Sequence, residues 1–136
     1  MYLVFKAMSS KGILEEIDSL TPAISKWFER KVSEKKLDVS NVVLKGFPKA
    51  LATLFVVSTE AYRGSFTAKM LCKHFSLEDV RKLSSILKAF GAKNVPEVSD
   101  EYRSKPWEYV VKLIREVSFE DKELDSLIGK LREKLG

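Results

Sequence analysis

The side chains of this 136-residue chain that could act on another molecule are cations rather than nucleophiles or metal ligands. Arg81, Ser85 and Lys88 are spaced to form one stripe along a helix, with Lys82 beside it. Guanidinium, hydroxyl and ammonium groups in that order suit phosphate oxygens and the acceptor edges of bases. Lys69 and Lys73 lie one helical turn apart and offer two point charges to a phosphate backbone. Arg63 and Lys93 flank the set. Residues 61–95 therefore hold seven bases against two acids, Glu78 and Asp79. The rest of the chain holds seventeen bases and seventeen acids, so the whole net charge of +5 belongs to this stretch. A second basic run, Lys26–Lys49, has seven bases against three acids, and the acidic excess falls towards the two ends. A cationic centre with acidic flanks suits a polyanion. The plain alternative is ordinary solvated charge on a pair of helices.

Other chemistry is sparse. Cys72 is the single cysteine and His74 the single histidine, so one chain can form neither a disulfide nor a Cys/His metal cluster. No acid is placed to orient His74 as a base, and Cys72 falls on an inner helix face, where it serves as a small core residue. The dinucleotide-binding, P-loop, nucleophile-elbow and zinc-protease patterns are all missing. Glu15, Glu16 and Asp18, like Glu120, Asp121, Glu123 and Asp125, read as helix-start and surface acids. The expectation is a protein that is not an enzyme and holds no metal or cofactor.

The cations need a scaffold, and Phe66–Phe90 supplies it as two helices meeting at a corner. Leu77, Val80, Leu83, Ile86, Leu87 and Phe90 repeat at helical spacing. Ser76 stands at the N-cap with Asp79 three residues on, and Phe75 and Val80 are placed as a hydrophobic staple. Gly91 is the C-cap residue expected after the second helix, as Gly64 is for the helix before the corner. That earlier helix opens at Pro48 and carries Leu51, Leu54, Phe55, Ser58, Ala61 and Tyr62 on its buried face.

The flanking segments are mainly helical as well. Tyr2–Met8 fits either a short strand or a first helical turn, punctuated by residues 9–12. Ile13, Leu14, Ile17 and Leu20 form a helical stripe, and Ile24, Trp27, Phe28 and Val32 another. Pro22 between them either kinks one helix or divides two. Residues 35–47, with Val39, Val42, Val43 and Leu44, fit a short strand or an irregular loop equally. Ala92–Tyr102 reads as a loop. A helix then starts at Pro106, with Trp107, Val110, Val111, Ile114 and Val117 inward. Ser118 and Asp121 form the capping box of a last helix, with Leu124, Leu127, Ile128, Leu131 and Leu135 on its apolar face. That face is an internal packing stripe or a homodimer seam. The fold class is mainly α: a compact multi-helix domain with at most a few short strands, its core helices near 48–95 and a C-terminal helical pair near 104–135, within a single domain over 1–136.

Three successive helices near residues 48–62, 67–74 and 77–90 resemble the core of helix-turn-helix and winged-helix DNA-binding domains. The resemblance rests on Thr67-Ala68-Lys69-Met70-Leu71-Cys72-Lys73-His74-Phe75. In that family a small residue, here Cys72, faces the partner helix, and a small turn residue, here Ser76, follows four positions later. The resemblance implies a duplex DNA partner and a role in transcription regulation. Arg81, Ser85, Lys88 and Lys82 would meet the groove, and Lys69 and Lys73 the backbone. Three features depart from the family: a turn about two residues short, no β-hairpin wing after residue 90, and acids Glu78 and Asp79 at the reading end.

A different class fits the same charge: a non-catalytic helical accessory subunit of a nucleoprotein complex, of which the small subunits of CRISPR effectors are one type. A third is a protein-only adaptor whose basic face is incidental. DNA is expected over RNA because only Tyr62, Phe66 and Phe75 lie near the basic stretch for stacking, and the apolar pattern places two of them inward. No apolar run reaches the ~18 residues of a membrane span, and the start makes a poor signal peptide, so a cytoplasmic protein is expected. The chain has no Gln and two Asn beside many Lys and Glu, the composition of a thermophile protein.

Overall fold

The computed structural model describes the backbone of residues 2–136 and the side chains of residues 12–136 other than Val42. Within it, six α-helices follow one another: α1 (Tyr2–Lys35), α2 (Asn41–Tyr62), α3 (Phe66–Cys72), α4 (Leu77–Ala89), α5 (Pro106–Glu116) and α6 (Lys122–Leu135). A 3₁₀ turn at Asp100–Tyr102 precedes α5. The described residues form no strand, only one isolated bridge between Lys93 and Ser118. The mainly α class is therefore correct.

α1 is one helix of 34 residues that runs through Pro22. Proline removes an N–H from the helical ladder. The Thr21 hydroxyl beside it turns back to donate to the Ile17 carbonyl at 2.7 Å. Burial overrides the break, because Ile13, Ile17, Leu20, Ile24, Trp27 and Phe28 on both sides of Pro22 share one buried face. The backbone of Tyr2–Met8 belongs to this helix. The side-chain alternation that raised a strand there lies outside the described residues.

Residues 35–47 correct another expectation. Lys36 takes a positive φ of 52° and ends α1. α2 then begins at Asn41, seven residues before Pro48, with the Ser40 hydroxyl accepting from the Val43 N–H at 3.4 Å. β-branched residues lower helix propensity by only a few tenths of a kcal/mol each. Packing outweighs that: Phe28 stacks on Phe47 with ring centroids 4.7 Å apart and on Phe90 at 4.6 Å. Burying one such ring contributes about 2–3 kcal/mol.

α2 is the central element, packed against α1, α3, α5 and α6. The buried side chains form one continuous cluster from Ile13 to Leu135. Leu124, Ile128, Leu131 and Leu135 belong to that cluster, and Leu127 packs partly against it. The apolar face of α6 is thus mainly an internal packing stripe. Asp121, rather than Ser118, caps α6, accepting from the Leu124 N–H at 2.9 Å. Ser118 is held elsewhere, its backbone exchanging two 2.9 Å hydrogen bonds with Lys93. No helix among the described residues is long and apolar enough to cross a membrane.

Candidate nucleic-acid interface

The corner forms as its capping residues dictate. Gly64, at φ 98°, reverses the chain after α2, and the Ser65 hydroxyl accepts from the Ala68 N–H to start α3. α3 is only seven residues long and buries Ala68 and Cys72 against its neighbours. At the next junction Ser76 and Asp79 exchange reciprocal hydrogen bonds of 3.1 Å, a complete capping box. α4 then buries Leu77, Val80, Ser84 and Leu87 and ends at Gly91, φ 99°. This fixed inner face leaves Arg81, Lys82, Ser85 and Lys88 exposed on the outer one.

Arg81, Ser85 and Lys88 do come together. With Ser84 they line one side of a cleft of about 260 Å³, whose other side is Val95, Pro96, Glu97 and Val98. Lys82 adjoins them across a shallow hollow shared with Arg81 and Ser85. Lys69 and Lys73 are exposed on α3, outside the cleft, as are Arg63 and Lys93.

The eight residues differ sharply in how they are held. Arg63 pairs with Glu60 at 3.3 Å. Lys93 reaches Glu120 at 3.4 Å, where Lys31 also binds. These two ammonium groups hold the Glu120 carboxyl below its usual range. Arg81 donates to the Val98 carbonyl at 3.3 Å and pairs with Asp100 at 3.5 Å. Lys69, Lys73, Lys82 and Lys88, by contrast, have no partner among the described residues. Three of the predicted contacts are thus partly committed to the fold, and four lysines are not.

Both acids of the stretch are also occupied. Glu78 accepts from Arg103 at 3.0 Å, and that guanidinium holds its carboxyl below the ordinary value. Asp79 is spent in the capping box. At the start of α4 the Glu78 charge is thus offset by Arg103, while Asp79 keeps its own.

One part of the site has no periodic signal in the sequence. Tyr109, buried in α5, accepts from the Ser84 hydroxyl at 3.0 Å and donates to the Pro96 carbonyl at 2.6 Å. Burial pushes the Tyr109 phenol up, so it stays protonated and able to donate. Arg103 pairs with Asp100 at 3.1 Å as well as with Glu78. Together with Arg81 these contacts hold segment 95–102 along α4, where the sequence suggests a plain loop. No hairpin wing occurs among the described residues.

The aromatic residues are distributed differently from expectation. Phe66 is 66 % exposed and Tyr62 46 % exposed. Phe75 alone of the three packs partly into the core. Tyr62, on what the sequence marks as a buried face, lies under the Arg115 guanidinium at 5.3 Å and accepts a 3.1 Å hydrogen bond from it. His74 is exposed, and Cys72 is buried, its thiol pushed up to about 11 by desolvation. No group of three or more potential metal ligands occurs among the described residues.

No family model, curated protein or solved structure matches this chain.

Proposed function

We propose that this chain is a non-catalytic nucleic-acid-binding protein that contacts the phosphate backbone with Lys69, Lys73, Lys82 and Lys88, and uses Arg81 and Ser85 beside them. The observation that carries the reading is the uncompensated charge. These four lysines have no carboxylate partner among the described residues, while Glu78 and Asp79 are engaged within the fold. A net cationic surface of this kind gains free energy by releasing counterions from a polyanion. DNA is the partner in keeping with the resemblance of 48–95 to helix-turn-helix domains. A protein of this kind acts by occupancy, as a regulator of transcription or as an accessory subunit of a nucleoprotein complex.

The test is fluorescence anisotropy with labelled DNA across a range of salt. Engagement of the four lysines and Arg81 gives a slope of log K against log salt of roughly −3 to −5. A slope near zero, or no binding to any nucleic acid at low salt, sinks the proposal.

A further inference from the structure

An apolar recess of about 470 Å³ opens where α1, α2 and α3 meet, away from the α4 stripe. Ile13, Leu14 and Ile17 of α1 line it, with Val57 of α2 and with Leu71 and Phe75 at the corner. Leu14 is 61 % exposed and Leu71 40 % exposed, so large aliphatic side chains stand uncovered at its rim. Small-ligand sites are recesses of about 300–1,000 Å³, mostly apolar, with a few polar groups that fix orientation.

The polar groups of this recess are separated along its length. Phe28 meets Phe47, and Ile17 shares the recess with Val57, so α1 and α2 run antiparallel. Ten residues before Phe28 is Asp18, and ten after Phe47 is Val57, which places the exposed Asp18 carboxylate level with Val57. Lys49 precedes Val57 by eight residues. Two turns of helix, about 12 Å, therefore separate the ammonium end from the carboxylate. His74 also lines the adjoining hollow beside Phe47 and Ala50, so it belongs to the Lys49 end. The side chains of Asp18, Lys49 and His74 have no hydrogen-bond or ion-pair partner among the described residues. Thr53, between the two ends, spends its hydroxyl on the Lys49 carbonyl at 2.7 Å, and Thr67 adds a hydroxyl from α3.

From this arrangement we infer that the recess binds a small amphipathic carboxylate with a linear apolar tail. Lys49 and His74 hold the head, and the tail lies on Ile17, Val57 and Leu71. The span from Lys49 to Val57 suits a chain of about ten carbons. In this orientation the head stays two turns from Asp18, whereas an ammonium head at Asp18 would meet a single acceptor. The inference goes beyond the nucleic-acid reading and does not depend on it. Lys69 and Lys73 lie two residues to either side of Leu71, hence on the opposite face of α3.

The experiment is isothermal titration calorimetry of the full chain with decanoate, decanol and decylammonium, each kept below its micelle concentration. Decanoate should bind, decanol at least tenfold more weakly, and decylammonium not at all. Hexanoate should bind at least tenfold more weakly than decanoate, since four buried methylenes are lost. Lys49→Met should weaken decanoate about tenfold and leave decanol unchanged. Leu71→Asn, at an exposed position, should weaken both with an unchanged circular dichroism spectrum. No binding of decanoate by the wild-type chain overturns the inference, as does a preference for decylammonium. Decanoate binding that neither substitution changes places the ligand elsewhere and overturns it too. Sedimentation provides the last arm. A dimer that Leu71→Asn dissociates, with no decanoate binding, would mark the recess as a contact between copies and overturn the inference. None of these outcomes touches the nucleic-acid reading, whose own test is the salt dependence above.

Discussion

The two sides of this molecule treat several of their charges differently. Where α1 and α2 meet α6, a set of charged groups pairs within the chain. Lys134 pairs with Glu16 and lies 3.7 Å from Glu60, which also holds Arg63. Arg30 meets Asp121 at 3.3 Å, and Lys31 meets Glu34 and Glu120. Arg132 donates through Nε to the Ile114 carbonyl at 2.7 Å and through Nη2 to the Val117 carbonyl, satisfying the end of α5. At the α3–α4 corner, four lysines have no hydrogen-bond or ion-pair partner among the described residues. Matched charge belongs to the fold, whereas unmatched charge is available to a partner. Exposed pairs contribute little stability, so the difference between the sides should appear in binding more than in Tm.

The largest expected effect follows from removing the unmatched side. Replacing Lys69, Lys73, Lys82 and Lys88 by Ala should weaken DNA binding at low salt by about 100-fold or more and flatten the salt dependence by roughly 3. Tm should change little, because none of the four makes a hydrogen bond or ion pair among the described residues. A large fall in Tm would erase the distinction between the two sides. Next comes Arg132→Met on the matched side. It strands the Ile114 and Val117 carbonyls at the end of α5 and should cost about 2 kcal/mol in urea unfolding, with DNA affinity untouched. Tyr109→Phe lies between the two regions. Losing its hydroxyl should cost about 1–2 kcal/mol. It should also speed proteolytic nicking between residues 95 and 103, since the Pro96 tether goes with it.

The smallest effect concerns acid. Arg103 holds the Glu78 and Asp100 carboxyls below their ordinary 4.5 and 3.8. A carboxylate whose folded pKa is depressed adds stability above its unfolded value and loses it as pH falls through the folded one. Arg103→Ala should therefore lie slightly below wild type in denaturant midpoint at neutral pH. The two curves should merge as pH drops below about 4, and both carboxyls are fully exposed, so the gap stays small. A gap that widens in acid would contradict the pairing.

What could be read from the sequence was local. The Ser76–Asp79 box and the turns at Gly64 and Gly91 depend on three or four neighbouring residues, and each is where its residue types place it. The exposed stripe on α4 followed from the period of Val80, Leu83 and Leu87. Failures came where distant packing outvoted local preference. Pro22 and Pro48 are helix-start signals, yet each lies inside a helix because the Phe28, Phe47 and Phe90 rings bind α1, α2 and α4 into one cluster. The Ser84–Tyr109–Pro96 chain joins residues 13 and 25 positions apart through single hydroxyls, and no periodicity records it. Exposure of Tyr62 and Phe66 was hidden for a similar reason, since each lies at the end of a helix, where the period of the apolar stripe does not record how far neighbouring elements cover it.

Cys72 gives the corner a means of being timed. Its thiol is the only one in the chain, sits 6 % exposed on the inner face of α3, and is pushed up to about 11 by burial. Alkylation of a thiol requires the thiolate in contact with solvent, so labelling of native Cys72 is slow while α3 is packed and speeds up when α3 lifts away. The labelling rate, divided by that of a free thiol, gives the fraction of molecules in which the helix has opened. Adding an oligonucleotide to the same reaction would show, without any substitution, whether occupancy of the face holds that helix shut.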